Sequence, residues 1–117
     1  MDFMSVPMFN AKQALIRKNY SEIYAHEAAH KRAAGSLAGP IVIEKNSEGI
    51  PVGGHVSIKM PSLNRVNPQE TIDNADVVIK SALAPSDPSA QDYKVAAQAK
   101  SIKAQAENIK KRLDYYA

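Results

Sequence analysis

The sequence predicts an α+β fold that is mainly helical: one long helix, one β-hairpin, then two further helices. Three observations predict it. Residues Asn10 to Ala34 hold no proline or glycine and are rich in alanine, leucine, glutamate, lysine and arginine, all good helix formers. From Ile41 to Lys59 the chain changes to short β-branched runs separated by turn residues. Beyond Asn67 apolar residues return at helical spacing, broken once around Pro85 and Pro88.

The first helix should end at Gly35, which can take a left-handed conformation, and Gly39-Pro40 should keep it from resuming. Ile41 to Lys45 and Val52 to Lys59 then read as the two strands of a hairpin around NSEGIP. Asn67, Pro68 and Glu70 open the second helix: Asn67 can cap, proline suits the first helical position, and Glu70 can return a hydrogen bond as in a capping box. Ile72, Ala75, Ile79 and Ala82 give it an apolar face, and it stops near Ala84-Pro85. The third helix has two candidate starts, Asp87 followed by Pro88, or Ser89 with Asp92 three residues on. Val95, Ala99, Ile102, Ala106, Ile109 and Leu113 then recur at spacings of four and three, the narrow stripe of a helix that packs nearly antiparallel on a partner. The first helix is the expected partner, ahead of a second copy of the chain.

With 117 residues, 44% apolar and 23% charged, the chain is sized and composed for one globular domain spanning residues 1–117. No apolar run is long enough for a membrane span and MDFMSVPMFN lacks the features of a secretion signal, so a cytoplasmic location without membrane association is expected. The absence of cysteine excludes disulfides and thiolate metal sites, leaving histidine and carboxylate as the only ligands for a metal. A net charge of +3, with the lysines of KVAAQAKSIKAQAENIKKR spread along a helix face and no aromatic stacking platform, gives no sign of a nucleic-acid partner.

One motif carries chemistry. Ala25-His26-Glu27-Ala28-Ala29-His30 contains H-E-x-x-H inside the predicted first helix. Residues four apart share one helix face, so both imidazoles can reach a single zinc ion, and Glu27 projects beside them where it can act as general base. Zinc lowers the pKa of a bound water to about 7, which makes a nucleophile available at neutral pH. A histidine pair at this spacing can also sit on a solvated helix face, but a chance match in a chain this long arises only on the order of a few times per thousand.

A catalytic zinc usually has three protein ligands and one open position. His55, after Gly53-Gly54 on the second predicted strand, is the leading candidate for the third, since the glycines would let the backbone come close to another element. Glu70, Asp87 and Asp92 are the carboxylate rivals. Tyr24, Tyr93 and Arg65 have the right chemistry to stabilise an oxyanion, but the sequence places none of them.

Together, the segments AHEAAHKRAAGSLAGPI, EGIPVGGHVSI, NPQETI and SALAPSDPSAQDYKVAAQA resemble the bacterial SprA-related family of zinc metallopeptidases. The resemblance covers roughly residues 20 to 107. It implies a minimal zincin-like fold, with His26 and His30 as metal ligands, Glu27 as catalytic base, and a peptide or protein substrate. In that family the place of His55 is often acidic, a substitution zinc would accept at a ligand position. The family's PSxQD stretch is Pro88-Ser89-Ala90-Gln91-Asp92, which implies either that Asp92 orients a ligand histidine or that it caps a helix. Family members often carry a long polar region ahead of this domain, so the chain reads as a minimal version. The expected function is therefore zinc-dependent peptide hydrolysis; the alternative is a non-catalytic, metal-stabilised scaffold or an interaction module that uses the long C-terminal helix. Oligomeric state is not legible.

Overall fold

A computed structural model describes residues 5–116, with side chains described for residues 10–116. In chain order the elements are α1 (Ser5–Ala34), a 3-10 turn (Gly35–Leu37), β1 (Ala38–Lys45), β2 (Pro51–Ile58), α2 (Pro68–Ala82) and α3 (Ala90–Tyr116). The mainly helical α+β expectation holds. Helix α1 starts five residues ahead of the expected Asn10 and takes Pro7 into its first turn, where a residue without an N–H loses no intrahelical bond. Gly35 ends it with φ 55°, the left-handed conformation foreseen for that position.

The hairpin is a two-stranded antiparallel sheet with Ile41 opposite Val56, Val42 opposite His55 and Ile43 opposite Gly54. Gly39 and Pro40 do not stand outside it as expected: β1 already begins at Ala38, and the register shifts between Ala38 and Ile41. An edge strand tolerates proline at such an irregularity because no ladder bond is required there. The turn is held by Asn46, whose Oδ1 accepts the N–H groups of Glu48 (2.9 Å) and Ile50 (3.0 Å), while Gly49 takes φ 76°. Strand alternation turns Ile41, Ile43, Gly54, Val56 and Ile58 inward and leaves Val42, Glu44, His55 and Ser57 exposed. The inward face lies on α1. Gly54 makes the approach possible: a Cβ there would sit 2.6 Å from Ile23 Cγ2, 3.0 Å from the Val42 carbonyl oxygen and 3.2 Å from Glu27 Cγ.

Helix α2 begins with Pro68 at its first position, but Asn67 makes no side-chain cap and the expected capping box with Glu70 does not form. Asn64 takes over instead. Its Oδ1 accepts the N–H groups of Val66 and Asn67, its Nδ2 donates to Glu70 Oε2, and its own N–H donates to Thr71 Oγ1. Asparagine side chains readily bond backbone groups two or three residues on, and here Asn64 folds the chain back at the start of α2.

Helix α3 packs on α2 and not, as the stripe suggested, back along α1, which it touches only marginally. The short link over residues 83–89 makes the two helices antiparallel neighbours, and a short connection decides the partner before a distant helix can compete. Their seam is lined by small residues: Ala75, Val78 and Ala82 from α2 meet Ala96, Ala99 and Ala106 from α3, all buried. Seven-residue steps repeat on its flank, where Lys103 Nζ meets Asp76 (2.7 Å) and Lys110 Nζ meets Gln69 (2.6 Å). The hydrogen bond that Lys103 donates to Asp76 raises the lysine pKa above its ordinary value. Because α1 and α3 overlap only near one end, the molecule extends over 81 × 20 × 20 Å. No helix among the described residues is long and apolar enough to cross a membrane.

Candidate metal centre

Among the described side chains of α1 the most buried are not the large apolar ones but Glu27, His30 and Ala34, at 7%, 5% and 3% exposure. The helix therefore docks through its H-E-x-x-H face, which is not a solvated one. Strand β2 covers Glu27 at Gly54, and α2 covers His30 at Ser81. A Glu27 carboxylate oxygen and one ring nitrogen from each of His26 and His30 lie within 4.8 Å of one another.

The orientation of His30 follows from one contact. Its Nδ1 stands 2.7 Å from the Ser81 carbonyl oxygen, and a carbonyl only accepts, so Nδ1 carries a proton and, in the neutral ring, Nε2 keeps its lone pair. Ser81 Oγ in turn donates to the His30 carbonyl at 2.7 Å. His26 repeats the pattern more loosely, with Nδ1 3.4 Å from the exposed carboxylate of Asp87. Both Nε2 atoms then face inward, 3.3 Å apart.

Asp92, on the first turn of α3, closes the group. Its Oδ2 is 3.3 Å from His26 Nε2 and its Oδ1 is 3.1 Å from His30 Nε2. Its orientation is set by a capping box with Ser89: the Ser89 N–H donates to Asp92 Oδ2 (2.8 Å), and the Asp92 N–H donates to Ser89 Oγ (3.1 Å). Of the two expected starts of the third helix, Ser89 with Asp92 is the one formed. Asp92 both caps the helix and faces the histidines.

This donor set fits zinc. Zinc–nitrogen and zinc–oxygen distances of about 2.0–2.1 Å in a tetrahedron place neighbouring donors about 3.3 Å apart. Here the two Nε2 atoms are 3.3 Å apart, and the Asp92 carboxylate meets them through different oxygens, Oδ2 at 3.3 Å from His26 and Oδ1 at 3.1 Å from His30. Outer acceptors behind both rings, Ser81 and Asp87, are the usual partners of metal-binding histidines.

His55, the leading sequence candidate for the third ligand, is not brought to this cluster. Alternation along β2 sends Gly54 toward α1 and His55 to the opposite face, where its Nδ1 meets Glu44 Oε1 at 3.1 Å and the side chain is half exposed. Glu70 is held by Asn64 at the start of α2, and Asp87 stands behind His26, not in front of it. Ser81 gave no signal in the sequence, being one small polar residue in the last turn of α2.

A cleft of about 390 Å³ opens onto the cluster. It is lined by His26, Glu27, His30 and Asp92, by Gly54, His55 and Val56 of β2, and by apolar residues that include Ile58, Met60 and Val95. Tyr24, Tyr93 and Arg65 do not line it.

No curated protein of known function and no solved structure matches the chain significantly. A model of the SprA-related family matches residues 8–113, which takes in the H-E-x-x-H face of α1, the hairpin over Glu27, Ser81 and Asp92. The chain belongs to the SprA-related family.

Proposed function

We propose that the chain is a zinc-dependent metallopeptidase in which His26, His30 and Asp92 hold the ion and Glu27 is the general base. The observation that carries this reading is the convergence of His26 Nε2, His30 Nε2 and the Asp92 carboxylate at 3.1–3.3 Å from one another, beside the buried carboxylate of Glu27. Two imidazoles and a carboxylate facing inward at this spacing are a donor set that suits a divalent cation.

Bound there, zinc would supply Lewis acidity to the substrate carbonyl and lower the pKa of a water to about 7. Glu27 takes the proton of the attacking water as its oxygen bonds to the carbonyl carbon, and delivers it to the amine that leaves when the C–N bond breaks. Gly54 packs over the Glu27 Cγ methylene, and the residue lines the cleft. Strand β2 is an edge strand, and consecutive residues Gly54, His55 and Val56 border the cleft, so its backbone is available to pair with an extended peptide.

Glu27→Gln should keep the metal stoichiometry of the parent and lower peptide cleavage by about 10²–10⁴-fold, the usual loss for a general base. Cleavage at the parental rate would overturn the mechanism. A second reading, a metal-stabilised scaffold, is favoured by one observation: α1 and α3 touch only marginally, and the His26–His30–Asp92 group joins them. That reading wins if chelation unfolds the chain and the metal-loaded protein cuts no member of a peptide library.

A further inference from the structure

The cleft is not polar throughout. Val56, Ile58, Met60, Ala82 and Val95 line it together with the histidine–aspartate group. Each, apart from Met60 two residues beyond Ile58, is one structural step from a residue already placed in the site. Val56 and Ile58 follow Gly54 on the inward face of β2, Val95 lies one turn beyond Asp92 on α3, and Ala82 follows Ser81 at the end of α2. Val95 begins the apolar stripe of α3, yet the α2 seam is made by Ala96, Ala99 and Ala106, and Val95 remains half-buried at the cleft. At about 390 Å³ the space is of the size that holds a ligand group.

Resting on the peptidase reading, we propose that this apolar lining is a specificity pocket for one large aliphatic or aromatic side chain of the peptide, at a fixed position beside the bond that is cut. The edge of β2 binds the peptide backbone and Glu27 lies under the same strand. A side chain leaving that backbone toward Val56, Ile58, Met60 and Val95 therefore leaves water for an apolar surface while its own carbonyl stays near the three donors. The pocket aligns the scissile bond, so occupancy raises the rate as well as the affinity.

The test uses the full zinc-loaded chain and a peptide library, with a fluorescent peptide carrying leucine or phenylalanine for binding to Glu27→Gln. The expected result is cleavage beside Leu, Met or Phe over Ala, Asp or Lys by about 10- to 200-fold, and the same order of binding to Glu27→Gln. Val95→Phe should move the preference to smaller side chains, and Met60→Ala should relax it toward larger ones; circular dichroism and zinc content confirm that each variant is folded and loaded. Cleavage with no apolar preference, or a preference unmoved in both folded variants, would overturn the pocket while leaving the peptidase reading intact. Selective binding of apolar peptides without any cleavage by the parent would overturn the peptidase reading while leaving a peptide-binding pocket.

Discussion

His30 and Ser81 hold each other by two hydrogen bonds of 2.7 Å, from His30 Nδ1–H to the Ser81 carbonyl and from Ser81 Oγ–H to the His30 carbonyl. This reciprocal clasp joins α1 to α2, and it decides which nitrogen of His30 is free to face His26 and Asp92. A serine in the last turn of α2 thereby reaches into the chemistry of another element.

Ser81→Ala removes one of the two bonds and leaves the carbonyl that orients the ring. The expected loss is about 1 kcal/mol of folding stability, read from urea unfolding, with zinc stoichiometry unchanged. A bulkier Ser81→Val should wedge α1 from α2 and weaken zinc binding as well, because residue 81 is fully buried.

Ser89 acts through Asp92. Ser89→Ala should weaken the start of α3 by about 0.5–2 kcal/mol and lower zinc affinity by about 10–100-fold, whereas Ser89→Thr restores both. Competition with a chromophoric chelator measures the affinity and circular dichroism the helix. A variant that loses helix stability but binds zinc like the parent would show that the capping box does not orient the carboxylate.

Gly54→Ala places a methyl group 2.6 Å from Ile23 Cγ2 and 3.2 Å from Glu27 Cγ. The strand must lift from α1, which should cost about 1–3 kcal/mol and move the Glu27 carboxylate. Peptide cleavage should fall further than zinc affinity, since the histidines and Asp92 belong to α1 and α3 and not to the hairpin. Equal losses in both would mean that the hairpin also supports the donor set.

Much of this was legible in the sequence. The long helix, its stop at Gly35, the hairpin and the H-E-x-x-H face follow from local rules, because glycine, proline and four-residue spacing act over one or two turns. The third donor was harder. His55 stood out by residue type, but the same period-two rule that made it a strand residue sends it away from α1 once Gly54 faces inward. Asp92 was visible as a capping residue and as one carboxylate rival among three, and only the turn of α3 toward α1 shows that its oxygens meet the histidines. The heptad stripe of α3 states that a partner exists and not which helix it is, and the partner is α2. The short link at residues 83–89, which settles the matter, was already in view.

The zinc-to-protein ratio of the untagged chain, compared across Asp92→Ala and His55→Ala, tests the central claim most directly. The donor geometry predicts one zinc per chain in the parent and in His55→Ala, and none retained through desalting in Asp92→Ala. A parent without zinc after loading, or zinc retained by Asp92→Ala and lost by His55→Ala, would contradict it.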